Sequence, residues 1–124
     1  MHYIVRACLI FTVMTLGLVS PGHAIDSSQT VQALYQFCKS PDDRSRYGLC
    51  LGFITGVGDT MQLIGVGVEQ QPDNAPFGIC GKPSYGAMVQ AFVNWAEQNP
   101  GESESNRIVG VISALRANWP CRVR

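Results

Sequence analysis

The sequence predicts an all-α domain, a compact bundle of about four helices stapled by two disulfides. Three observations carry that prediction. Beyond residue 25, apolar residues recur at helical spacing in four separate segments, and no alternating run is long enough for a strand. The chain opens with a stretch that reads as an export signal. Residues 25–124 hold an even set of cysteines, Cys38, Cys50, Cys80 and Cys121, which in a short exported chain implies disulfides.

Residues 1–24 form the expected signal. Arg6 supplies the positive start, Ala7 to Val19 the apolar stretch, and Gly22 and Ala24 the small residues before a cut after Ala24. A spanning helix needs about 20 apolar residues, and this run is shorter and broken by Gly17 and Pro21. Cleavage leaves residues 25–124 as a single helical domain and removes Cys8, His2 and His23. Of nine Lys/Arg and nine Asp/Glu in the whole chain, only Arg6 departs, so eight basic residues face nine acidic ones. The basic residues are scattered. Neither nucleic acid nor a membrane surface is an expected partner of the cleaved chain.

The first helix comes after Ser27 and Ser28, either of which can cap its start, with Val31, Leu34, Tyr35 and Cys38 as the inward stripe. Ser40-Pro41-Asp42-Asp43 breaks it, and Asp42 or Asp43 starts the second helix. There Tyr47, Cys50, Leu51, Ile54, Val57, Met61 and Ile64 keep helical spacing for about five turns. Gly48, Gly52 and Gly56 fall four apart on one face. Each costs roughly 1 kcal/mol relative to alanine, so we assign them to close packing against another helix of the same domain, with a homodimer contact as the alternative. Asp59 is expected to anchor the loop after this helix by hydrogen bonds. The charges Asp43, Arg44, Arg46 and Asp59 argue against a spanning role for this helix.

Gly65 to Pro83 reads as a long loop, dense in Gly, Pro, Asn and Asp. Ser84 can cap the third helix, whose apolar face comprises Tyr85, Met88, Val89, Phe92, Trp95 and Ala96 and ends at Asn99-Pro100. An acidic connection comes next, and Ser103 or Ser105 begins the fourth helix, with Ile108, Val111, Ile112, Leu115 and Trp119 turned inward and Pro120 as the stop.

Little in this chain can perform chemistry. Residues 25–124 contain no histidine, which excludes Ser-His, Cys-His and His-metal mechanisms within the cleaved polypeptide. No C-x-x-C pair supports redox catalysis or zinc, and the glycine pairs lack the spacing of a nucleotide loop. Neither metal, cofactor nor catalytic residue is expected; the reading is a binder and not an enzyme. Four cysteines allow three pairings. A short hairpin between the first two helices brings Cys38 to Cys50, leaving Cys80 to tie the long loop to Cys121 near the chain end.

The segment Cys50-Leu51-Gly52-Phe53-Ile54-Thr55-Gly56-Val57-Gly58-Asp59 resembles the Cys-x-Gly-aromatic-Ile-x-Gly-x-x-Asp helix of the Rap/Tai immunity proteins. Ile79-Cys80, Pro83 and Gln90 sit where that family has its central cysteine, proline and glutamine. Residues 93–100 are similar to its third-helix ending, and residues 114–121 to its carboxy-terminal Ala-Leu and aromatic-Pro-Cys. Gly86-Ala87 replaces the family's Val-Thr pair, and Asn99 its histidine.

The resemblance implies a helical periplasmic protein, often homodimeric, that binds and blocks a peptidoglycan amidase delivered by type VI secretion. We place the contact on the turn between the third and fourth helices, at Glu97, Gln98, Asn99, Glu102 and Glu104. That turn is short, polar and acidic, suited to a positively polarised cleft. The competing reading is a small disulfide-linked periplasmic chaperone of acid stress, which would expose apolar surface and loosen at low pH through its carboxylates.

Overall fold

The computed structural model describes residues 26–70 and 78–121. The expected signal segment and its cut after Ala24 lie outside these residues, as do Pro72, Asp73, Asn74 and Pro76 of the expected loop. Four α-helices appear in order: α1 (Val31–Cys38), α2 (Arg44–Gln70), α3 (Tyr85–Gln98) and α4 (Arg107–Asn118). Single 3-10 turns, Ser27–Gln29 and Pro100–Glu102, flank α1 on its amino side and α3 on its carboxyl side. No strand forms among the described residues; two isolated antiparallel bridges pair Thr30 with Asn106 and Ile79 with Pro120. Each helix packs against the other three, so the all-α bundle is as the sequence predicts.

The core is the sum of the four apolar stripes. Leu34 of α1, Cys50 and Ile54 of α2, Met88 and Phe92 of α3, and Val111 and Leu115 of α4 are all essentially solvent-free. Fully burying side chains of the Leu, Ile, Met or Phe kind contributes about 1.5–3 kcal/mol each. Tyr35, Trp95 and Trp119 pack against this cluster with one edge outside. Both expected disulfides are present, Cys38–Cys50 with 5.2 Å between Cα atoms and Cys80–Cys121 with 4.8 Å.

Several local expectations change. Neither Ser27 nor Ser28 caps α1. Both sit in the 3-10 turn, and Thr30, buried and extended, takes the role by accepting the Ala33 amide at 3.2 Å. Asp43 caps α2, its Oδ1 accepting the amides of Ser45 and Arg46 at 3.0 Å each. Ser84 caps α3 as expected. At α4, Asn106 displaces Ser103 and Ser105 as cap: its Oδ1 accepts the Ile108 amide at 2.8 Å, while the Ser105 hydroxyl is turned to Glu102. Ile108 is 47% exposed and Tyr85 54%, so the fourth and third stripes are each one residue narrower than their periodicity suggests.

The larger corrections lie in α2. It continues to Gln70, through Gly65 and Gly67, which the sequence assigns to a loop. Gly65 is buried inside the helix because the backbone of Gly78 and Ile79 crosses it; a β-carbon there would collide with the Ile79 carbonyl. The crossing segment is held by the Ile79 amide, which donates to the Met61 carbonyl at 3.1 Å.

Gly48, Gly52 and Gly56 do not pack against another helix of the domain. All three are exposed, and a β-carbon at any of them would meet nothing within 4 Å. The reason is angular. Positions two apart on a helix point about 200° from one another, so Gly52, two residues from both Cys50 and Ile54, faces away from the core those residues fill. The glycines that meet side chains from other helices are Gly58, against Met88, and Gly110, against Val31 and Trp95. Asp59 is likewise exposed and makes no hydrogen bond among the described residues, so it anchors no loop. The stretch Arg44–Val66 has the length and composition to cross a membrane, despite its charges. Its buried side is nonetheless occupied by α1, α3 and α4, with Cys50 bonded to Cys38.

Candidate functional site

The α3–α4 turn is built from the end of α3 outward. At the helix end Asn99 turns the chain, its side-chain amide donating to the Trp95 carbonyl at 2.7 Å. Pro100 then starts the 3-10 turn, closed by the Glu102 amide on the Asn99 carbonyl at 3.0 Å. The Ser105 hydroxyl donates to Glu102 Oε2 at 2.6 Å, and the Ser105 amide to the Glu102 carbonyl at 3.0 Å. These short-range bonds give the turn a defined shape before anything else touches it.

Helix α1 then holds the turn from the side. The first amides of any helix lack internal acceptors. Here Val31 N–H donates to the Ser105 carbonyl and Gln32 N–H to the Ser103 carbonyl, both at 2.9 Å, while Ala33 N–H goes to Thr30. The start of α1 is thereby satisfied by the very segment it positions. Arg107 adds a brace: its guanidinium lies 4.4 Å from the centre of the Phe53 ring on α2 and donates to the Ser28 carbonyl at 3.2 Å.

Of the five residues placed at the contact, the structure brings Gln98, Asn99, Glu102 and Glu104 together along the turn, with Gln98, Glu102 and Glu104 exposed and Asn99 half-buried. Glu97 is different. Its Oε1 accepts both the Tyr35 hydroxyl at 2.9 Å and the Lys39 ammonium at 3.2 Å, tying α3 to α1. The Tyr35 hydrogen bond, then Lys39, holds the Glu97 carboxyl below the usual carboxylate range, and the same bond, with some desolvation, pushes the Tyr35 phenol up. Sequence reasoning read Glu97 as one more outward acid and missed Tyr35 and Lys39 as its partners. They sit 62 and 58 positions away, and only the i, i+4 spacing of Tyr35 and Lys39 on one helix face hinted at joint action.

Elsewhere the surface offers an open cleft of about 420 Å³ beside the second disulfide, lined by Gly78, Ile112, Ser113, Arg116, Ala117, Pro120 and Cys121. Its lining supplies one charged side chain and no acid–base pair. Among the described residues no group of three His, Cys, Asp or Glu could hold a metal ion. The arrangement is that of a rigid, disulfide-stapled helical scaffold presenting an ordered acidic turn.

The class of protein comes from comparison with known families. Residues 30–121 match the family model of the Rap1a immunity proteins, and the chain belongs to that family. The matched span runs from the α1 cap to the last disulfide cysteine, so it covers every element of the bundle from α1 to α4. No curated protein and no solved structure matches the chain.

Proposed function

We propose that this chain is a periplasmic immunity protein that binds a type VI secretion peptidoglycan amidase and blocks its active-site cleft. Family membership over residues 30–121 carries the reading. It supplies the role of immunity protein, and with it a toxin as partner; the amidase class is our extension from the motifs in the sequence. Export by residues 1–24 would place the protein where such an effector acts and where its disulfides persist. The blocking surface is the α3–α4 turn. Its backbone is ordered before binding, which removes an entropic cost of association. Its exposed carboxylates, Glu102 and Glu104, suit a cleft polarised by an imidazolium or a helix amino terminus. The inhibition is stoichiometric and involves no bond making.

A second copy of the chain is proposed to pack on the outer face of α2. That face combines Gly48, Gly52 and Gly56 with Leu49, 59% exposed, and Leu63, 75% exposed. The chaperone alternative draws on the same exposed apolar residues, but the family match gives it no support. The test is expression of candidate Cys-His amidases in the periplasm with and without this protein. Protection against lysis by one of them supports the reading, and lysis in every pairing removes it.

A further inference from the structure

We infer that α1 is a strut that presets the α3–α4 turn for its partner, with Tyr35 and Lys39 as positioning residues that act through Glu97. The direct contacts then fall to Gln98, Glu102 and Glu104. This rests on the proposed function and refines its surface.

Two sets of bonds from one short helix grip the turn at both ends. On the α4 side, Val31 and Gln32 amides hold the Ser105 and Ser103 carbonyls. On the α3 side, Tyr35 and Lys39 hold Glu97. Lys39 Nζ also lies 5.9 Å from the centre of the Tyr35 ring, so the two donors align one another. The strut is itself fixed. Val31, Leu34 and Cys38 are buried, and Cys38 is bonded to Cys50 of the core helix.

Glu97 is therefore held by another helix before any partner arrives: both bonds fall on Oε1, and docking that moved its carboxyl would have to break them. The other two acids are not so held. Glu102 uses only Oε2, for the Ser105 hydroxyl, and Glu104 makes no side-chain hydrogen bond among the described residues. A turn that is already ordered loses less freedom on docking than a mobile one. Loosening α1 should therefore weaken binding even though α1 touches no partner. The opposite assignment, Glu97 as a contact, makes the opposite prediction: releasing it from Tyr35 and Lys39 should tighten binding.

The test compares wild type with a Tyr35→Phe, Lys39→Met double variant, which keeps the ring and the stem and removes only the two donors. Amide hydrogen exchange of the isolated protein comes first. The amides of Glu102, Ser103 and Ser105 should exchange about fivefold faster or more in the variant, a change appropriate to one hydrogen bond and one exposed ion pair. Amides of Ile54 and Leu115 should not change. Unchanged turn exchange overturns the positioning role of Tyr35 and Lys39, whatever the partner is. Dissociation from whichever member of a purified panel of Cys-His peptidoglycan amidases the wild type inhibits comes second. It should speed up severalfold in the variant, and equal or slower dissociation overturns the positioning role while leaving the proposed function intact. A wild type that inhibits no amidase in the panel overturns the proposed function and the contact assignment with it, while the exchange result still decides whether Tyr35 and Lys39 order the turn.

Discussion

The Tyr35 hydroxyl donates to Glu97 Oε1 across 2.9 Å, joining two helices whose residues lie 62 positions apart. The bond favours the charged carboxylate on one side and the neutral phenol on the other, so the two groups titrate away from each other. Glu97 is lowered from 4.5, chiefly by Tyr35 and then by Lys39. A depressed carboxylate contributes stability that is fully present above its unfolded pKa and is lost as pH falls through the folded one. Tyr35 is raised from 10.0, chiefly by Glu97, so its share is present below 10 and lost as pH climbs through the folded value. The clamp should therefore hold across the neutral range and loosen at both extremes. An NMR titration of the Glu97 carboxyl checks this: the midpoint should lie below 4.5 in wild type and move up in Tyr35→Phe. An unmoved midpoint contradicts the bond.

The two glycine sets should respond in opposite directions to alanine. Gly52→Ala adds a methyl where nothing lies within 4 Å and removes backbone freedom from the unfolded chain, so it should stabilise the monomer by about 0.5–1 kcal/mol. Gly65→Ala drives a methyl into the Ile79 carbonyl and should cost more than about 2 kcal/mol. Urea unfolding at a concentration where the protein is monomeric measures both. Sedimentation of Gly52→Leu tests the α2 pairing, which such a side chain should weaken.

Reduction should open the disulfides in order of exposure. Cys50 is fully buried and Cys38 nearly so, whereas Cys80 and Cys121 are half-buried. Limited dithiothreitol, then alkylation and mass mapping, should label Cys80 and Cys121 first. Removing the bridges by paired alanine substitution should cost about 3 kcal/mol for the 12-residue separation and about 4 kcal/mol for the 41-residue one, on the loop-entropy account. Early labelling of Cys38 would contradict the packing of α1 against the core.

Thr30 should matter more than its size suggests. It is 5% exposed, accepts the Ala33 amide and donates to the Ser27 carbonyl. Thr30→Ala should cost about 1–2 kcal/mol in thermal or urea unfolding, and Thr30→Ser should recover most of it. Equal stability of all three would mean that α1 is capped by other groups.

The four helices, most of their inward stripes and the Cys38–Cys50 pairing are legible in the sequence, because period 3.6 and a short hairpin are local properties; Cys80–Cys121, 41 residues apart, follows by elimination. The caps are not legible where a 3-10 turn takes up Ser27 and Ser28 and leaves the role to Thr30, or where the Ser105 hydroxyl turns to Glu102 and leaves it to Asn106. The length of α2 is hidden because Gly65 and Gly67 read as loop residues, when Gly65 answers a backbone crossing from residues 78 and 79. The outward direction of Gly52 and Gly56 is within reach, since each sits two residues from a core position. The capture of Glu97 by α1 is not, because side-chain pairing between distant helices leaves no periodic trace.

The central claim, that an ordered acidic turn blocks a cell-wall amidase, is tested most directly by titrating a purified type VI amidase with this protein and monitoring cleavage of peptidoglycan fragments. The account predicts complete inhibition at one equivalent, with Glu102→Ala, Glu104→Ala together weakening it by roughly 30-fold or more, the scale of losing an interfacial acid. Inhibition that the double variant matches at equal concentration would contradict the claim, since the turn would then take no part in the block.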